Sequence, residues 1–477
     1  FQLISFGFLS VIFAGCLLLM LPWASASGQS ASFSDALFTS VSAACVTGLV
    51  VHDTFSYWSF FGQAVILTLI QIGGMGIVTI AVMISRVSGK KIGLMQRSTM
   101  QTAIAAPQVG GIVRLTGFVF KTTLIIELIG ALILLPVFCR DQGIELGLWQ
   151  SFFHSISAFC NAGFDLMGFR QPFSSLTSYS VQVTVNLTIA ALILIGGLGF
   201  LTWDDIKEHK LRLRKYRAQS KMILATTAVL VILPFFYFWF CEYGEMGGKE
   251  RFFASLFQAV TTRTAGFFTI PQDHFLPQSQ LLSCMLMFIG GSPGGTAGGV
   301  KTTTIAILAA TCWSVLKGSE DTECFRRKIL PVNIRTGFSV AAVSFSAVLL
   351  GTMALLILEH TGLIEAEAQR IAADMKRLAA PNSPDKNHFM VEVSPYFTKL
   401  ASSRDTDQLL AMLPYKSMHL SSVKDRFGIY ALVDKKENRD RGIRKPRASV
   451  RKQLSETKQA ASPKKAAARS KQHEMEV

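Results

Sequence analysis

Residues 33–51 read FSDALFTSVSAACVTGLVV, and the pattern returns as LWQSFFHSISAFCNAGFDL (148–166) and RFFASLFQAVTTRTAGFFT (251–269). The three stretches align without gaps on Gly48, Gly163 and Gly266. Each has an apolar, helix-like run of about ten residues, a Ser or Thr, and a tripeptide ending on glycine. A unit that recurs roughly every 100 to 115 residues is one supersecondary element used repeatedly.

Each run is too short to cross about 30 Å of hydrocarbon, yet each lies between segments long enough to do so. The segments 1–24, 60–84, 112–138, 181–203, 222–241 and 336–358 are predicted to be spanning helices. A short helix between two spans reads as re-entrant, and non-helical backbone at membrane depth survives only beside a water-filled cavity. The tripeptides Val46-Thr47-Gly48, Asn161-Ala162-Gly163 and Thr264-Ala265-Gly266 would line that cavity with carbonyl oxygens able to replace an ion's hydration shell. Glycine suits the place because it reaches backbone angles that other residues avoid.

Composition agrees with a membrane protein: 477 residues, 50% apolar, 16% charged, mean hydropathy +0.38. The first segment lacks the basic start of a signal peptide, and the chain opens on Phe1 as though upstream residues had been removed. The eight cysteines show no paired spacing, so neither a disulfide framework nor a metal site follows. The formal charge of +16 gathers in Arg86–Arg97, Lys207–Lys221 and Lys317–Arg335, which the positive-inside bias places in the cytoplasm. That distribution argues against nucleic acid as a partner.

A second repeat, IGGMG (72–76), IGGLG (195–199) and IGGSPGG (289–295), falls within the outer helix of each unit. Close helix packing through small residues and a place in the pore both remain open for the first two. The third, GGSPGGTAGGVKTTT (290–304), interrupts an apolar run from Leu281 to Trp313 with six glycines and a proline, which predicts a broken helix lining the pore. A phosphate-binding P-loop is excluded because Val300 stands where that motif needs glycine before Lys301. Nothing else points to an enzyme.

With loops reading VTGL, NAGF and RTAGF followed by SPGGTAGGVKTTT, residues 1–358 resemble the Trk/Ktr/HKT superfamily of potassium transporters, and most closely its Ktr-type membrane subunit. The resemblance implies an all-α integral membrane fold of helix, pore-loop, helix units, potassium-channel-like, in the plasma or inner membrane. It implies a selectivity filter at Cys45, Val46, Thr47 and Gly48, at Cys160, Asn161, Ala162 and Gly163, and at Arg263, Thr264, Ala265 and Gly266. Glycine at 48 fits potassium selectivity, since members with serine there tend to pass sodium. The gate falls on Gly290, Gly291, Ser292, Gly294, Gly295, Thr296, Gly298 and Gly299, with Lys301 either holding it or snorkelling to the surface. Potassium is the implied ion and sodium a candidate coupling ion, without a covalent cofactor. The implied partners are lipid, a second copy in a homodimer, and a cytoplasmic nucleotide-binding regulatory subunit.

The chain thus divides into pore unit 1 (1–85), unit 2 (105–205), unit 3 (221–316), the first helix of a fourth (336–358) and an unrelated basic tail (359–477). The family has a fourth loop, expected near 366–381, but AEAQRIAADMKRLAAP holds no glycine and cannot form one. Residues 361–477 carry 23 Lys and Arg against 14 Asp and Glu; 385–433 could form a small soluble fold, and the end reads as disordered. A frameshift or fusion is the simplest account of this tail. Potassium uptake through a gated pore is therefore the leading reading, set against an incomplete or nonfunctional fragment and a secondary carrier. Few intramembrane ionisable groups, chiefly Glu127, favour the pore over the carrier.

Overall fold

Eighteen residues without a charge, Gln2–Leu19, form helix α1. The computed structural model describes residues 2–76, 79–80, 93, 97–99, 101, 111–210, 212–273, 275–319, 321–325 and 327–360, with strands at 379–380, 388–392, 418–422 and 429–434. Outside the described residues lie all of 366–381 except Ala379 and Ala380, most of the connector 86–97, and the tail after 434. Residues 1–352 form one unit and 353–477 a second.

In the first unit each short run is a helix that stops before its tripeptide. α2 (Phe33–Ala44) starts on Ser32, whose hydroxyl accepts the Asp35 amide at 3.1 Å and so supplies one of the hydrogen bonds a helix start lacks. α3 (Phe60–Met75) follows with Ser59 in the same capping role. The second repeat is α4 (Ile112–Gln142), the short α5 (Ile144–Phe159), α6 (Val183–Gly197) and α7 (Phe200–His209). The third is α8 (Ala218–Tyr237), running on through a π-helical turn to Glu242, then the short α9 (Gly248–Thr261), α10 (Pro277–Phe288) and α11 (Thr302–Leu316). A two-stranded hairpin, β1 (Glu323–Cys324) and β2 (Arg327–Lys328), leads to α12 (Pro331–His360).

Helices α4, α8 and α12 are long and apolar enough to cross a membrane. At 1.5 Å per residue the 31 residues of α4 reach about 46 Å, more than the hydrocarbon core. Two expected spans differ from their prediction. Segment 181–203 is not one helix: α6 and α7 meet at 97°, because Gly199 takes φ 83° and ψ 143°, where helical hydrogen bonding cannot continue. In 60–84, α3 ends at Met75 on Gly76, with φ 80°.

Inside lipid the hydrophobic effect does not hold helices together; close packing and hydroxyl bonds do. Ser40 donates to the Ile12 carbonyl at 2.6 Å and Ser155 to the Glu127 carbonyl at 2.6 Å, tying short helices to long ones. The central core, with Phe153, Phe159 and Phe164 buried, joins the first two repeats and takes in Phe257 and Phe267 of the third, while Phe238, Tyr243 and Phe275 centre a smaller cluster within the third. Phe6, Leu128, Phe240 and Leu281 face outward, as lipid-facing residues do.

Beyond the end of α12, the described residues of the second unit form an antiparallel sheet in the order β3 (Ala379–Ala380), β4 (His388–Glu392), β6 (Ile429–Asp434), β5 (Met418–Ser422). Strands β4 and β5 lie within 385–433, β6 ends one residue past it, and β3 lies before it.

Candidate functional site

Each short helix delivers its chain into a loop of one shape. Val46, Asn161 and Thr264 are left-handed at φ 56°, 59° and 62°, and two residues on Gly48, Gly163 and Gly266 have φ 80°, 73° and 86°. Left-handed backbone is costly for the branched Val46 and Thr264, so its threefold recurrence marks an imposed geometry. The intervening amides turn back onto their helices: Thr47 to the Ser42 carbonyl at 2.8 Å, Ala162 to Ser157 at 2.8 Å, and Ala265 to Thr261 at 3.0 Å. Cys45 and Cys160 still have helical angles and cap α2 and α5.

The loops lie side by side. A Cβ added to Gly48 would stand 2.4 Å from the Ala162 carbonyl oxygen, and one on Gly163 would stand 2.7 Å from that of Ala265. On Gly266 it would meet only Gly163, with Cα at 3.1 Å and N at 3.9 Å. The order is therefore loop 1, loop 2, loop 3 in an arc, with loop 2 enclosed and Cys45, Thr47 and Gly266 exposed. Three helix C-termini, each with partial negative charge, end at this arc. Carbonyls and helix ends together suit a desolvated monovalent cation.

The outer-helix glycines let those helices touch the loops from behind. A Cβ on Gly73 would strike the Ala44 carbonyl at 2.1 Å, and one on Gly196 that of Phe159 at 2.0 Å, the corresponding place in each repeat. In the third copy a Cβ on Gly290 would meet the Gly298 carbonyl at 1.6 Å instead. The same sequence feature has moved from holding a pore helix to folding the glycine-rich segment on itself.

That segment, between α10 and α11, is a compact loop. Gly290 donates to Val300, Gly291 to Gly298 and Thr302 to Gly291, and the Ser292 and Thr302 hydroxyls are 3.0 Å apart. Lys301 donates from Nζ to the Ala297 carbonyl at 2.8 Å, so its ammonium closes the loop that it ends. The loop is fastened to the second repeat. Ser292 N reaches the Gly197 carbonyl at 2.9 Å, Thr296 N reaches Gly196 at 3.2 Å, and Phe200 N reaches Gly294 at 2.9 Å. It also touches the second and third loops. The Thr296 hydroxyl lies 2.9 Å from the Phe159 carbonyl and 3.2 Å from Asn161 Oδ1, and Gly298 N reaches Thr264 Oγ1 at 3.1 Å. Gly294, Gly295 and Gly299 lie on its more accessible turns.

Among the predicted residues Arg263 stands apart. Its side chain is 3% exposed and its Nε has no hydrogen-bond partner among the described residues, while its carbonyl accepts from Asn161 Nδ2 at 3.5 Å. Sequence reasoning missed the α6–α7 elbow as the seat of the glycine-rich loop; the repeated IGGLG was its signal. It also missed Ser157 and Thr261, whose hydroxyls donate to the carbonyls of Phe164 and Phe267, just past the loop glycines. Two residues past Gly163, Asp165 accepts the Met167 amide at 2.9 Å. The residue is partly accessible, but burial of its carboxyl, with a smaller contribution from the nearby Asp53 charge, pushes its pKa up to about 7 against the hydrogen bond from Met167.

The chain is 38% identical over 363 residues to the potassium/sodium uptake protein NtpJ of Enterococcus hirae, covering 75% of this chain and 79% of that protein. It is 38% identical over 370 residues to the Ktr system potassium uptake protein B of Bacillus subtilis, covering 76% and 81%. The crystal structure of the potassium transporter TrkH from Vibrio parahaemolyticus has the same fold, with TM-score 0.55 at 23% identity over 73% of this chain and 72% of that one. The TrkH family, described as cation transport protein, matches residues 1–369. Taken with the apolar spans and the threefold pore loops, these matches mean that the chain is a multi-pass membrane protein and belongs to the TrkH family of cation transport proteins.

Proposed function

We propose that this chain is the pore-forming subunit of a potassium uptake system, in which ions pass along the arc of loops and residues 290–304 gate the path. The observation that carries the reading is the shared loop geometry: left-handed residues at 46, 161 and 264 and glycines packed against the next loop's carbonyl. Carbonyls at fixed spacing discriminate among ions by the hydration they replace. The relatives' names support potassium as the ion and sodium as a second transported or coupling ion.

In this reading the filter comprises Cys45–Gly48, Cys160–Gly163 and Arg263–Gly266, and the place beside Gly266 is that of a fourth loop, which residues 366–381 cannot form. The exposed Arg212, Arg214 and Lys215 of the connector receive a nucleotide-binding regulatory subunit. Arg217 pairs with Asp204 at 2.9 Å and with Asp205 at 3.3 Å, so that contact reaches α7 and through it the gate. A homodimer is the expected assembly in the membrane.

The test is growth of potassium-uptake-deficient cells at low external potassium. Cells expressing the chain with a matching fourth pore unit placed after Leu358 are expected to grow. Failure to grow, with stable protein in the membrane, overturns the reading. Replacing Gly48 by Ser in the active form is expected to raise sodium uptake relative to rubidium; an unchanged ratio removes loop 1 from the filter.

A further inference from the structure

At the back of the second loop, away from the carbonyl arc, lies a carboxylate that the pore reading leaves unused. Glu127, midway along α4, is 4% exposed. Gln71 of α3 reaches across from the first repeat, with Nε2 3.0 Å from Oε1 and 3.0 Å from Oε2. Cys160, where α5 gives way to the loop, closes the cluster, with Sγ 3.8 Å from Gln71 Oε1 and 4.0 Å from Glu127 Oε1. Close packing fixes all three: a Cβ on Gly74 would stand 2.5 Å from Cys160 Sγ, and one on Gly130 2.4 Å from Ser155 Oγ, which bonds the Glu127 carbonyl. No Lys, Arg or His pairs with Glu127 among the described residues, and a lone amide orients a carboxylate without neutralising it.

A carboxylate buried at membrane depth without a fixed countercharge is held as the anion only where a cation stands near it. The positive charge that the architecture brings near is the ion in the adjoining loop, a relation resting on the pore reading above. We infer that Glu127 is a positioning residue for ion binding: held by Gln71 behind Cys160, its charge raises the affinity of the filter for its monovalent cation. Coulomb attraction through protein, rather than contact, transmits the effect, and Gln71 keeps the charge at a fixed distance from the loop.

Three full-length proteins in lipid nanodiscs test this by calorimetric titration with potassium: wild type, Glu127→Gln, and the exchange Gln71→Glu with Glu127→Gln. Glu127→Gln preserves shape and can still bond the Gln71 amide, so it isolates charge. Its Kd is expected to rise about tenfold, and the exchange, which restores a charge roughly 3 Å away, to recover most of that loss. In cells, rubidium uptake by Glu127→Gln is expected to show the loss in KM, with the maximal rate within about twofold of wild type. Equal Kd for wild type and Glu127→Gln overturns the inference, as does an exchange variant no better than Glu127→Gln. Absence of potassium binding by the wild type overturns the pore reading itself.

Discussion

The first and second pore loops share one backbone and differ in almost everything around it. Thr39, Ser42 and Val50 of the first stand where the second has His154, Ser157 and Asp165. The Ser42 hydroxyl has no partner among the described residues, whereas Ser157 braces the Phe164 carbonyl at 2.7 Å. His154 is fully buried, with Nδ1 2.8 Å from the Gln150 carbonyl and Nε2 accepting the Leu166 amide at 3.3 Å. The difference teaches that loop shape is set locally by the turn, while rigidity is added by neighbours. The second loop, flanked on both sides and touched by the glycine-rich segment, has received most of that bracing.

The contrast is easiest to break at the glycines. Gly163→Ala forces a Cβ onto the Ala265 carbonyl at 2.7 Å in a backbone unfavourable to alanine, and is expected to lower rubidium uptake by more than tenfold. Gly266→Ala, with its nearest obstacle at 3.1 Å and exposed surroundings, is expected to lose only a few-fold. Equal losses would mean that the second loop is no more constrained than the third.

His154→Leu strands the Leu166 amide and is expected to destabilise the protein by about 1–3 kcal/mol, read as a lower unfolding temperature in detergent. Thr39→Val at the matching place is expected to cost less than half as much. Ser157→Ala is expected to cost about 1 kcal/mol and Ser42→Ala to stay within about 0.5 kcal/mol of wild type. A larger loss at Ser42 would show bracing in the first loop.

Asp165 gives the smallest effect and a distinctive one. Its folded pKa of about 7 lies above the ordinary carboxylate value, so the folded state binds the extra proton between roughly pH 4 and 7. Its contribution is therefore present below pH 4 and lost as pH rises through 7. Between pH 5 and 8 the unfolding temperature of wild type is expected to fall by more than that of Asp165→Asn, measured by intrinsic fluorescence.

The threefold repeat was legible because a left-handed turn at a fixed offset demands glycine, and Gly48, Gly163 and Gly266 announce it in sequence. The broken third outer helix was legible for a similar reason: six glycines and Pro293 cannot continue a helix. The bend in 181–203 was not. IGGLG serves equally a continuous helix packed on a neighbour and one that turns at Gly199, and the choice is made by Ser292 and Gly294, far along the chain, bonding Gly197 and Phe200. Glu127 was visible as an oddity. Its holder was not, because Gln71 lies 56 positions earlier as one polar residue in an apolar helix.

The right-angled elbow between α6 and α7 has a mechanical consequence. Because the arms meet at 97°, a push along α7 has almost no component along α6. A shift of α7 along its own axis would therefore carry the loop seated at Gly196–Phe200 across the direction of α6 rather than along it, which in the proposed gating reading is the motion of a shutter and not of a piston.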